Sequence, residues 1–263
     1  MARGSVYERS VLIFDDPSCS LGDTSLGLIA LGVSPYYANN LDDAMFLAGE
    51  HHQRIGAFAA PTALLLEKLD LIRKELLAPI GLPIACAVPI GGAPTPDERA
   101  RLAAAGIRWG AFEATSALEL RLLVSLALSE GDRNETRREP RLPVQLKVDV
   151  TTDERTFRAA LTDLSANGAY LSARSPLKPG TRLTLAFTLD EQRVEVGAAV
   201  RWRTALDGGF AGWLDVGMGI EFTQIAYETR AVIRRYLTSW IQRFELAPAA
   251  PARPAPSVRA SAR

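Results

Sequence analysis

Arg137-Arg138-Glu139-Pro140-Arg141 opens the stretch that decides the fold, and Asp163-Leu164-Ser165-Ala166-Asn167-Gly168 closes it. Between these ends the hydrophobic period is two: Val144, Leu146, Val148 and Val150 alternate with polar residues, and residues 157–164 form a second run. Alternation of this kind predicts half-buried strands. Further runs follow at 169–173, 181–189, 193–202 and 218–222, punctuated by Pro176, Pro179-Gly180, Asp190-Glu191 and Asp207-Gly208-Gly209. Several short alternating strands with tight turns predict a small antiparallel β-barrel. Residues 227–244 close it as an amphipathic helix, with Val232, Ile233, Tyr236, Leu237, Trp240 and Phe244 at helical spacing.

The polar ends of the first two strands carry a chemistry of their own. The planar fork of arginine matches phosphate oxygens in pairs, and it also matches the O6/N7 edge of guanine. A carboxylate accepts from base amino or imino hydrogens, a hydroxyl donates or accepts, and a glycine lets backbone come close. Such a set suits a ligand that carries both phosphates and purine edges. A solvated basic linker is the plainer account of the arginines taken alone.

R-x-x-x-R followed a strand pair later by D-x-S-x-x-G resembles the signature of PilZ domains, which are receptors for cyclic di-GMP. Arg137 and Arg141 fill the first half, and Asp163, Ser165 and Gly168 fill the second. The resemblance spans roughly residues 134–244. It implies that Arg137 and Arg141 take phosphate oxygens and guanine Hoogsteen edges. Asp163 and Ser165 would meet a guanine's polar edge, with Gly168 keeping the backbone close. Arg138 is a third arginine that could equally face solvent. Asn167 is either an added contact or a turn residue that tolerates positive φ. Trp202 falls near the point where some PilZ domains place an aromatic beside a guanine, and a half-exposed sheet aromatic accounts for it as well.

The first half reads differently. Residues 11–14 are a short apolar run ending in Asp15-Asp16, like a buried parallel strand with acids at its carboxyl end. Residues 20–31 and 63–77 suggest helices, and Asn40 caps another that reaches residue 53. Strands are expected at 36–38, 55–60 (stopped by Pro61), 82–88 and 109–112. Thr95-Pro96-Asp97-Glu98 and Ser116-Ala117-Leu118-Glu119 are capping boxes that open two more helices, with Gly106 just past the end of the first. Strands alternating with helices predict a parallel sheet covered on both faces, in a flavodoxin-like layout.

In outline this half resembles a response-regulator receiver domain. Asp15 and Asp16 fall where that family's acidic magnesium pair belongs. Its phosphoacceptor aspartate lies four residues before a proline, and counting back from Pro61 gives Ala57, which cannot be phosphorylated. Ala87 and Glu113 stand where the family's hydroxyl and lysine are expected. Phosphoryl transfer needs acceptor, metal site and charge clamp together. The half is therefore expected to be a degenerate pseudo-receiver, a scaffold for docking a protein partner or for homodimerisation.

The bulk numbers fit two domains: 263 residues, 48% hydrophobic and 23% charged. Lys plus Arg equals Asp plus Glu at 30 each, so no global field favours nucleic acid. Cys19 and Cys86 are far apart and in no metal or redox spacing, which suits a reducing cytoplasm. No apolar run reaches the ~20 residues of a membrane span, and the N-terminus lacks a signal-peptide core. His51 and His52 are adjacent and cannot share a helix face, so neither metal binding nor acid–base catalysis is expected.

The expected organisation is a receiver-like domain at 1–130, a polar linker at 131–136, a PilZ domain at 137–246 and a disordered Ala/Pro/Ser/Arg tail at 247–263. The expected function is reception of cyclic di-GMP and relay to a protein partner, without turnover. The ligand would draw the arginine-bearing linker against the barrel and reorient the two domains. A nucleotide-independent adaptor working through protein contacts is the alternative.

Overall fold

Two sheets hold all the described strands. The computed structural model describes residues 10–15, 28, 33–112, 116–130, 141–204 and 216–246. The first sheet is parallel and comprises β1 (Ser10–Phe14), β2 (Pro35–Ala38), β3 (Ile55–Pro61), β4 (Ala87–Gly91) and β5 (Ala111–Phe112), in the order β2-β1-β3-β4-β5. Every residue of β1 and β3 is buried. Strands covered on both faces need such unbroken apolar runs. Helices α1 (Leu41–Glu50), α2 (Thr62–Leu71), α3 (Pro96–Ala104) and α4 (Ala117–Glu130) complete this unit.

The predicted caps are formed. Asn40 Oδ1 accepts from the Asp43 N–H at 2.8 Å. Thr95 and Glu98 close a reciprocal box on α3. On α4, the Glu119 N–H donates to Ser116 Oγ at 3.2 Å while the Ser116 N–H donates to Glu119 Oε2 at 2.9 Å. Each cap satisfies N–H groups that the first helical turn leaves without partners.

Several boundaries differ from expectation. Helix α1 stops at Glu50, short of residue 53. Pro61 ends β3 from within, paired with Ile90. The leucine-rich helix breaks at Leu71 into a π-helical turn, Ile72–Leu77, beside a non-helical Lys68. The fourth strand begins at Ala87, after a 3₁₀ turn over Ile84–Cys86, and runs through Pro89. Pro89 pairs with Ala60 of β3 on one side, while on the other β5 pairs with β4 only at Ile90 and Gly91. The expected helix at 20–31 lies outside the described residues apart from Leu28, as do Asp16, Cys19, Glu113, the linker at 131–136 and the tail at 247–263.

The second sheet is a closed antiparallel barrel, as the alternation predicts. Its strands are β6 (Leu142–Thr151), β7 (Thr156–Ser165), β8 (Gly168–Ser172), β9 (Arg182–Leu189), β10 (Gln192–Arg203) and β11 (Gly217–Gln224), ordered β10-β11-β8-β7-β6-β9. The β9–β10 hairpin turns on Asp190 and Glu191, both at positive φ (43° and 68°). That two-residue geometry matches the twist of the flanking strands. Helix α5 (Tyr227–Gln242) packs on the barrel through Ile233 and Leu237.

Helix α4 lies between the two units. Leu120, Leu122, Leu123, Val124, Leu126 and Ala127 are all buried. The helix packs on β3 and β4 of the parallel sheet and on β6 of the barrel, so one hydrophobic cluster runs through both units. The sides of the helix that meet the two units are apolar, while Ser125 and Ser129 are exposed.

The chain also returns to the first unit after α5. The Gly110 N–H donates to the Phe244 carbonyl at 2.9 Å, and the Leu246 N–H donates to the Arg108 carbonyl at 2.8 Å. Trp109 forms an antiparallel bridge with Glu245, which is why the fifth strand is only two residues long. Leu246 is buried in the cluster on the far face of the parallel sheet. Among the described residues no helix is long and apolar enough to cross a membrane.

Candidate functional site

Strand register assembles the site. Pro143 pairs with Asp163 and Leu142 with Leu164, so the residues just outside that pair, Arg141 and Ser165, come side by side. Asp163 pairs with Tyr170, Tyr170 with Gly219, and Gly219 with Trp202. Directly paired residues project from the same face of a sheet. Asp163, Tyr170, Gly219 and Trp202 therefore form one row across β7, β8, β11 and β10, with Ser165 two residues along from Asp163. Leu164, Ala169, Ile220 and Val200 form the adjacent row, buried in the core.

Two irregularities aim this row. Register shifts fall between Leu161 and Asp163 on β7 and between Val200 and Trp202 on β10. Bulges of this type turn a side chain out of strict alternation. Trp202 is 36% exposed and stacks on Tyr170, ring centroids 5.4 Å apart. It also lies flat against Gly219, where a Cβ would collide with the indole.

The β7–β8 turn is held by polar bonds. Ser165 Oγ donates to the Gly168 carbonyl at 3.0 Å and keeps its lone pairs as acceptors. The Asn167 carbonyl accepts from the Phe222 N–H at 2.9 Å, and its Oδ1 accepts from Arg230 Nη1 of α5 at 2.9 Å. Asn167 does not take the positive φ that its residue type tolerates. Gly168 is required by the backbone itself, since a Cβ there would run into the Ile220 carbonyl of β11.

Asp163 meets an unexpected partner. Arg121 Nη2, from α4, donates to Asp163 Oδ1 at 2.9 Å and to Oδ2 at 3.1 Å. The two side chains are 12% and 11% exposed. Sequence reading passed over Arg121. Its signal was there: it is the only charged residue between Glu119 and Glu130 in an otherwise apolar helix. A cation placed so needs a carboxylate partner.

The structure thus brings together Arg141, Asp163, Ser165, Asn167, Gly168 and Trp202. Arg137, Arg138 and Trp213 lie outside the described residues. In the first unit, Asp15 follows β1 as expected, and Ala57 is fully buried within β3, with no side chain to accept a phosphoryl group. Among the described residues no cluster of three metal-ligating side chains occurs. A shallow depression of about 620 Å³ opens elsewhere, over β6, β7, β9 and β10. It is lined by Asp149 and Glu195 against Arg158 and Arg193, and it contains none of the motif residues.

Comparison with known families matches residues 135–239 to the PilZ domain. This part of the chain is a PilZ domain, built as the closed barrel with its C-terminal helix. Solved structures to which the chain is similar include the Bacillus subtilis inhibitor of motility MotI/DgrA, 20% identical, TM-score 0.35, covering 43% of this chain and 54% of that one. The PilZ domain of Escherichia coli YcgR with c-di-GMP is 17% identical, TM-score 0.33, covering 41% of this chain and 93% of that one. Borreliella burgdorferi PlzA in complex with c-di-GMP is 16% identical, TM-score 0.30, covering 47% and 49%. The match therefore spans only about half the length of the Bacillus and Borreliella proteins. A search of curated proteins found no match.

Proposed function

We propose that this protein is a bacterial cytoplasmic receptor for cyclic di-GMP that relays the level of the second messenger to a protein partner. Relay to motility, surface or polysaccharide functions would involve no turnover. The supporting observation is the convergence of Arg141, Ser165, Asp163 and Trp202 on one outer region of a PilZ barrel, from strand ends far apart in sequence. In this reading Arg137, Arg138 and Arg141 take phosphates and guanine Hoogsteen edges. Asp163 and Ser165 take a guanine's polar edge, Asn167 and Gly168 shape the turn beneath it, and Trp202 offers a base-stacking surface. The first unit, read as a flavodoxin-like pseudo-receiver with Ala57 in place of a phosphoacceptor, serves as the docking or dimerising module.

Each charge-assisted hydrogen bond contributes ~1.5–3 kcal/mol, so a handful can offset ordering of the arginines and leave micromolar affinity, ~8 kcal/mol. Isothermal titration of the full chain with cyclic di-GMP should show that binding, and Arg141→Ala should abolish it while leaving the fold intact. Absence of heat from folded wild-type protein refutes reception. It would leave an adaptor that acts through protein contacts alone.

A further inference from the structure

The helix between the two units sets a cation on the carboxylate of the proposed nucleotide site. A single nitrogen, Arg121 Nη2, spans Asp163 Oδ1 at 2.9 Å and Oδ2 at 3.1 Å. A donor shared by both oxygens lies along the open edge of the carboxylate. Guanine offers its N1–H and N2–H in parallel, and a carboxylate receives such a pair along that same edge. The two donors cannot occupy it together.

We infer that Arg121 competes with the nucleotide for Asp163, so that the first unit gates the PilZ site. The inference rests on the reception reading above. The backbone that carries Arg121 is held in place, because Leu120, Leu122, Leu123 and Val124 beside it are 0–1% exposed. Withdrawing its guanidinium removes an ion pair that ties α4 to β7 of the barrel. Helix α4 is tied in turn to the end of α5, where Arg243 Nη2 lies 3.5 Å from Glu119 Oε1. At its other end α5 holds Asn167 through Arg230. The β7–β8 hairpin thus carries one arginine from each helix, Arg121 on strand residue Asp163 and Arg230 on turn residue Asn167. Occupancy at Asp163 is communicated along both, because the ligand and the resting contact use the same oxygen atoms.

The exchange has a direction. Guanine is neutral, so it replaces a cation at Asp163 with a weaker partner. Removing the competitor should tighten ligand binding. Wild-type and Arg121→Gln full-length proteins would be titrated with cyclic di-GMP by calorimetry. The variant should bind about tenfold more tightly at unchanged stoichiometry, which is the lower end of one charge-assisted hydrogen bond. In wild-type protein, saturating ligand should also speed hydrogen exchange of amides in residues 117–130, since α4 loses its anchor. An Arg121→Gln affinity equal to or weaker than wild type overturns the gate while leaving reception standing. If that variant does not fold, wild-type exchange decides, and unchanged or slower exchange in α4 overturns the gate. No heat from either protein overturns reception and the gate together.

Discussion

Gly168→Ala should weaken the barrel whether or not nucleotide is present. A Cβ on Gly168 would fall inside 3.0 Å of the Ile220 carbonyl and at 3.4 Å from the Glu221 Cα, both on the backbone of β11. No rotamer can relieve a clash between two backbones, so β8 and β11 must part. The Phe222 N–H to Asn167 carbonyl bond, 2.9 Å, closes the same corner and would be strained or lost with that movement. Overpacking costs ~1–3 kcal/mol. A lost backbone hydrogen bond adds ~1 kcal/mol. The expected destabilisation is about 3 kcal/mol, or a fall in Tm of about 6–12 °C for a chain of this size. Differential scanning fluorimetry with and without cyclic di-GMP should show a similar drop in both conditions. A Tm within about 2 °C of wild type, paired with weakened nucleotide binding, would refute the reasoning and assign the glycine to ligand contact.

Two further outcomes are expected. Trp202→Ala removes the stack on Tyr170 at 5.4 Å. It should cost ~1 kcal/mol of stability in chemical denaturation and weaken cyclic di-GMP binding about tenfold by calorimetry, in line with loss of a base-stacking surface. Unchanged affinity would return Trp202 to a purely structural role. At Glu98, the Thr95 backbone N–H and then its hydroxyl hold the carboxyl below the ordinary carboxylate range. A depressed folded pKa means that the α3 cap contributes its stability above the unfolded pKa and loses it as pH falls through the folded one. Carboxyl NMR should show Glu98 titrating at lower pH than an uncapped glutamate, and a midpoint at or above the ordinary value would contradict the cap.

Local signals carried far into this fold. Period-two alternation in residues 144–150 and its successors was enough for an antiparallel barrel, because a half-buried strand imposes that period on its own residues. The capping boxes at Thr95 and Ser116 were readable for the same reason: cap and capped N–H lie within four residues. Boundaries went astray where the deciding partner was distant. Trp109 looked like part of a strand, yet Glu245 takes its edge. The fourth strand was expected to end at Val88, yet it runs on through Pro89, which pairs with Ala60 of the distant β3.

The sequence by itself determined the chemistry of the candidate site, since Arg141, Asp163, Ser165 and Gly168 are recognisable as residue types at fixed spacing. Only the tertiary structure decided what surrounds them. The register of four strands carries Trp202 into the row of Asp163, and bulges turn both side chains outward. Helix packing brings Arg121 from 42 residues away onto that carboxylate. A motif records what is adjacent along the chain, whereas a charge inside an apolar helix is placed by packing, and packing closes only when the whole core does.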